Sequence, residues 1–204
     1  VWREIDALLD REWKMKNGMA LRVLATFIDS GGHFTQEVYN ECAKREYRHV
    51  YAIKGEGGED KLLVRPMKGQ SGKDDAHRFI IGVDSGKEQI LYATSIEQAG
   101  PKFMHFPYDY RSGYDMEYFH GLISERMVFH RRGGQTSVVW EKIHERNEPL
   151  DIRNYARAAF RYFRWNFDKY EQALSGQKPE EKPIARATKD AKKNRRVISS
   201  GITV

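Results

Sequence analysis

Two apolar runs in this chain end on the same tripeptide, and that repetition limits the possible folds more than any other feature. Leu21 to Gly32 reads LRVLATFIDSGG, and Arg78 to Gly86 reads RFIIGVDSG. Val23 to Ile28 is almost uniformly apolar, with β-branched Val23, Thr26 and Ile28, which predicts a strand buried on both faces. Each run delivers an aspartate, Asp29 or Asp84, just where Ser-Gly turns the backbone away. Open sheets bind their ligands outside the carboxyl ends of their strands, so the two acids are expected at a common site.

The remaining pattern alternates helices and strands. Arg3 to Lys16 has the apolar spacing of an amphipathic helix, with Asn17-Gly18 as its stop. Thr35 to Arg45 reads as a helix capped by Thr35, and His49 to Lys54 as a third strand. Lys54 to Arg78 is rich in Gly, Lys and Asp and is expected to be a long mobile loop with at most one short edge strand. Its GQSGKD segment is not a phosphate loop, because the spacer is too short and Asp74 stands where Ser or Thr is needed. Lys87 to Ile96 reads as a helix, Lys102 to Phe106 as a short strand, and Asp115 to Ser124 as another helix. Met127 to Lys142 predicts a hairpin with Arg131, Arg132, Gly133 and Gly134 at its tip. Pro149 is expected to open a final helix reaching about Leu174.

Composition narrows the function classes. At 204 residues with 40% hydrophobic and 31% charged positions, the chain suits one sizeable globular domain. No apolar run reaches the length of a membrane span. A single cysteine, Cys42, excludes internal disulfides and thiolate zinc clusters. The net charge of +6 and pI of about 9.3 favour a polyanionic partner. Part of that charge lies in the Lys- and Arg-rich segment 175–204, expected to be a basic flexible tail behind a domain spanning 1–174. The chain opens at Val1 inside an apparent helix, as an excised domain would.

A third acid comes from the final helix. Tyr155, Ala158, Ala159, Tyr162 and Phe163 define its inward face, and Asp151, four residues before Tyr155, shares that face. A carboxylate facing the core is costly unless it is paired, capped or bound to metal. Singly, Asp29, Asp84 and Asp151 each read equally well as helix-start or turn acids. Together they fit an acidic cluster whose mutual repulsion is relieved by hard divalent cations, Mg²⁺ or Mn²⁺. Two such ions roughly 3.5–4 Å apart are a known device for phosphodiester hydrolysis. Lys87 and His33, close to the first two acids, and Arg131 and Arg132 at the hairpin tip are candidates for gripping the phosphates of a polyanionic partner, DNA if the resemblance given below holds. Each also has a plain reading as a solvated turn or helix-start residue. Arg153, Arg157, Arg161 and Arg164 form a basic stripe, either a DNA contact or the solvated side of the helix.

In order along the chain, FIDSGGHFTQEVY, YAIKG, IGVDSGKEQILY, HFP, GLISERMV and WEKIHERNEPLDIRNYARAA resemble the nuclease half of tailed-bacteriophage terminase large subunits, in the branch of phage lambda. The resemblance runs from about Trp2 to Phe163. It implies an RNase H-like α/β fold, a central mixed β-sheet flanked by helices. It also implies an acidic triad matched by Asp29, Asp84 and Asp151, holding two divalent cations. The implied activity is endonucleolytic cleavage of double-stranded phage DNA during packaging, in the host cell cytoplasm. The implied partners are an N-terminal ATPase motor domain of the same polypeptide, a small terminase subunit and the portal of the procapsid. Two other readings stand beside it. One is an actin-like or sugar-kinase-type ATP-binding domain, whose phosphate loops also read Asp-x-Gly. The other is a non-catalytic DNA or portal docking module.

Overall fold

β4 (Val50–Glu56) is the strand around which the rest is built. Its side chains alternate between two apolar faces, as the two-residue period of a strand requires. Val50 and Ala52 pack with Leu9 and Cys42 on one side, and Ile53 packs with Phe79, Ile81 and Ala158 on the other. The computed structural model describes residues 1–16, 18–69 and 74–175 of the chain.

β4 pairs in parallel with β3 (Thr26–Asp29) on one side and with β6 (Asp74–Gly82) on the other. β5 (Val64–Lys68) closes that side antiparallel to β6, giving the mixed order β3-β4-β6-β5. Pro66 sits on this outer strand at a register shift, where a missing N–H is tolerated. α1 (Trp2–Leu9) and α2 (Thr35–Lys44) cover one face of the sheet. α5 (Glu148–Phe163) covers the other. α3 (Val83–Thr94) and α4 (Met116–Leu122) pack beside α5 through Ile90, Leu122 and Leu150. The result is the expected central mixed sheet flanked by helices.

Several local expectations change. β3 is four residues long and lies at the sheet edge, with Val23 and Leu24 substantially exposed, so it is not a strand buried on both faces. α1 stops at Leu9 because Trp13–Lys14 (β1) pairs with Ala20–Leu21 (β2), and Gly18 takes the positive φ of the intervening turn. The stretch 54–78 is mostly strand, although residues 70–73 of the GQSGKD segment lie outside the described residues. Lys102–Phe106 forms no strand: Lys102 adopts φ 68°, and Met104 and Phe106 turn into the helical core instead.

The hairpin is present as β7 (Glu125–Arg132) and β8 (Gln135–Lys142). Gly133 and Gly134 both have positive φ (59° and 82°), the conformation a two-residue turn needs to follow strand twist. α5 ends where Arg164 enters the left-handed region at φ 45°, so the expected helix to Leu174 is broken. Phe163 is held there among Phe27, Tyr51 and Trp165. Val1–Trp165 forms one compact unit; a second begins at Asn166 and contains α6 (Phe167–Ser175). Residues 176–204, most of the expected tail, lie outside the described residues.

Candidate active site at the carboxyl ends of the parallel strands

Asp29 is the last residue of β3, opposite Ile53. The next residue, buried Ser30, ties the turn to the sheet: its backbone N–H and its hydroxyl both donate to the Ile53 carbonyl, at 2.8 and 2.7 Å. Asp29 Oδ1 accepts the Gly31 N–H at 2.8 Å, and a Cβ at Gly31 would stand 3.2 Å from that oxygen. The first Asp-Ser-Gly is therefore a strand-end turn that fixes an exposed carboxylate.

The second Asp-Ser-Gly has another backbone. β6 ends at Gly82, and Asp84 lies in the first turn of α3, where an acid favours the helix dipole. Its Oδ2 accepts the Gly58 N–H at 2.7 Å, and Ser85 donates to the Lys61 carbonyl at 2.6 Å. Gly86 is not a turn residue. It is buried where α5 crosses α3, and an added Cβ would stand 1.7 Å from Asn154 Oδ1. Asn154 in turn donates to the Val83 carbonyl at 3.0 Å, locking the two helices together.

Asp151, in the first turn of α5, is half-buried. Burial holds its carboxyl above the ordinary carboxylate value; the Lys87 ammonium opposes this, while Glu125, Asp29 and Glu148 add to it. Asp29 and Asp151 thus lie in one electrostatic field. Tyr155, one turn further along α5, donates to Asp29 Oδ2 at 3.4 Å. Its own phenol is raised by burial, then by Asp29 and Asp151.

Lys87 lies on α3 and is only 9% exposed. Its ammonium donates to Glu125 Oε2 at 2.7 Å and lies 3.8 Å from Asp151 Oδ1, with the Trp140 ring centroid 5.9 Å away. Its side chain is turned inward to this pair, so the alternative reading of Lys87 as a solvated helix-start lysine does not hold. Asn147 completes the arrangement, donating to Glu125 Oε1 at 3.0 Å and Asp151 Oδ2 at 3.1 Å. Glu125 and Asn147 escaped the sequence reading. The available signal was an acid opening the strand that carries Met127, Val128 and Phe129, a position that must be paired if buried.

Asp84 stands apart from this group. It lines a cavity of about 230 Å³ with Asp60, Glu88 and Trp140, and neither Asp29 nor Asp151 borders it. The two places are nevertheless near. A Cβ at Gly55 would be 3.7 Å from the Tyr155 hydroxyl, and one at Gly57 would be 3.7 Å from Asp84 Oδ2. Two extended residues span roughly 7 Å. Among the described residues, no three His, Cys, Asp or Glu side chains already stand as a metal-binding group. His33 is exposed in the turn before α2. Arg131 is exposed beside the Gly133-Gly134 turn, and the side chain of Arg132 lies outside the described residues.

A mixed sheet flanked by helices, with Asp29 and Asp151 near the carboxyl ends of its parallel strands and Asp84 to one side, is consistent with a nuclease fold. The comparisons are specific about the kind. Residues 1–196 match the family described as terminase large subunit gpA, endonuclease domain, and the chain belongs to that family. It is similar to the terminase large subunit of Escherichia phage lambda, with 28% identity over 170 residues, 80% of this chain and 26% of the relative. It is similar also to that of Enterobacteria phage P21, with 27% identity over 172 residues and the same coverage. The chain spans about a quarter of the length of these relatives. No solved structure matches it significantly. Among the described residues, no helix is long and apolar enough to cross a membrane.

Proposed function

We propose that this domain is a divalent-metal-dependent endonuclease that cleaves double-stranded phage DNA during genome packaging in the host cytoplasm. The observation that supports it best is geometric: Asp29 at the end of β3 accepts a hydrogen bond from Tyr155, one turn along α5 from Asp151, in a chain of the terminase endonuclease family.

The donor chemistry fits Mg²⁺ or Mn²⁺. Such ions bind through one or two carboxylates, with substrate phosphate and water completing the shell, so a preformed cage of three protein ligands is unnecessary. Asp29 and Asp151 would hold the metal, with Asp84 flanking as the third acid. A bound pair of ions would supply charge neutralisation at the phosphodiester and a more acidic water.

The protein's own groups prepare the place. Asp29 is fixed by the Gly31 N–H and Tyr155 and remains open to solvent. Asn147 and Lys87 orient Asp151 from two sides, and Lys87 offsets part of the carboxylate repulsion before substrate arrives. Lys87 is therefore a positioning residue. His33, Arg131 and Arg132 remain proposed backbone contacts, whose loss would weaken binding similarly for all sequences. The family reading adds an ATPase motor in the same polypeptide, a small terminase subunit and the portal as partners, with the basic segment 175–204 as a docking tail behind residues 1–174.

Plasmid nicking with Mg²⁺ and with Mn²⁺ tests the reading. Asp29→Ala and Asp151→Ala are expected to lose activity by about a hundredfold or more while circular dichroism stays that of the parent, since electrostatic groups at a reacting centre contribute on that order. Asp84→Ala separates a flanking acid from a bystander. Full cutting by both Asp29→Ala and Asp151→Ala would overturn the mechanism.

A further inference from the structure

A second cavity, of about 560 Å³, opens between α3, α5 and the loop at 102–105. Three arginines at four-residue intervals on α5, Arg153, Arg157 and Arg161, border it, together with Lys102 and His105. Eight helical residues span about 12 Å, so the three charges form a short line. Like charges at this spacing destabilise a helix unless something opposes them. Among the described residues no carboxylate pairs with any of the three, although Arg45, Arg48, Arg65, Arg126 and Arg146 all have acidic partners. Arg153 spends its guanidinium on the Phe106 ring, 5.2 Å from the centroid. Arg157 gives one nitrogen to Gln89 Oε1 at 2.8 Å, and its buried Nε has no acceptor. Burial and the flanking arginines together push the Arg157 pKa down, as expected of a cation lacking its counter-charge.

The rest of the lining is apolar and aromatic. Phe103 and His105 meet edge to face at 4.9 Å between centroids, and Phe160 is 51% exposed. A duplex phosphate alone needs only the charges. A cavity of small-molecule size that joins cations to exposed rings suits a ligand carrying both an anion and a flat ring. Nucleotides are such ligands, and single-strand binding sites combine cationic grooves with aromatic stacking. In a duplex the bases are stacked and paired, and entering the cavity would require unstacking.

We propose that this cavity takes one unpaired nucleotide of a DNA strand, its phosphate on Arg157 and Arg161 and its base against Phe160 and Phe103. The choice of DNA over a free nucleotide rests on the endonuclease reading. The test uses the full chain without divalent cations, so it stays independent of cleavage. Fluorescence anisotropy would compare a labelled oligothymidine with a duplex of equal length, with thymidine monophosphate and polyglutamate as competitors. Tighter binding of the single strand is expected, with a loss of about five- to a hundredfold in both Arg157→Met and Phe160→Ala. Phe160 is exposed enough for its removal to leave the fold intact, and Arg157→Lys should keep part of the affinity. The proposal is overturned if the duplex binds as well as the single strand, if Phe160→Ala has no effect, or if polyglutamate displaces the strand at equal charge. Thymidine monophosphate binding as tightly as the oligonucleotide would overturn DNA as the source. A parent protein that binds the strand but never nicks plasmid would refute the nuclease reading and leave the cavity assignment standing.

Discussion

Replacing Lys87 with methionine is the most demanding test of how this site is held together. The substitution keeps an unbranched apolar stem and removes the ammonium that lies 2.7 Å from Glu125 and 3.8 Å from Asp151. Lys87 and Glu125 are 9% and 8% exposed, so water cannot take over the lost pairing. Breaking a buried ion pair from one side costs about 3–5 kcal/mol. Asn147 still donates to Glu125, which argues for the lower figure. About 3 kcal/mol in a domain of this size lowers Tm by roughly 6–12 °C.

The loss should also depend on pH. The Asp151 carboxyl already sits above its ordinary value, and Lys87 is the group that opposes this. Without Lys87 the carboxyl rises further. A raised acid contributes stability below its unfolded pKa, and that contribution disappears as pH climbs through the folded value. Thermal melts should therefore show a larger deficit at about pH 8 than at about pH 5. Lys87→Met combined with Glu125→Gln removes both charges and should recover most of the loss. A Tm change below about 2 °C for Lys87→Met, or no recovery in the double variant, would refute the buried-pair reasoning.

Asp151→Asn should raise Tm at neutral pH, because an ionised carboxylate held above its ordinary value destabilises the fold, and should abolish nicking in the same preparation. Gly86→Ala places a methyl 1.7 Å from Asn154 Oδ1, so urea unfolding should show a loss of about 1–3 kcal/mol or more from overpacking. Cys42 is buried with its thiol pushed up to about 11, so alkylation at mildly alkaline pH should await unfolding.

The linear chain determined the apolar face of α5, the Gly-Gly hairpin, the β4 strand and the placing of Asp29 at a strand end. Each is a local signal: a periodicity of 3.6 or 2, or a residue suited to positive φ. Where local signals were read too far, distant partners had decided. The Val23–Ile28 run is as apolar as a central strand, yet among the described residues β3 is an edge strand with β4 alone beside it. The Asp-Ser-Gly repeats are identical as text, but one turns away from a strand and the other starts a helix. The difference lies in Asn154, 68 positions past Gly86, whose side chain demands a glycine at the helix crossing. Lys87 likewise looks like a solvent-facing lysine until the tertiary structure sets Glu125 against it. Burial of charge is a property of the assembled fold, since an ionic side chain leaves water only when residues far along the chain arrive to satisfy it.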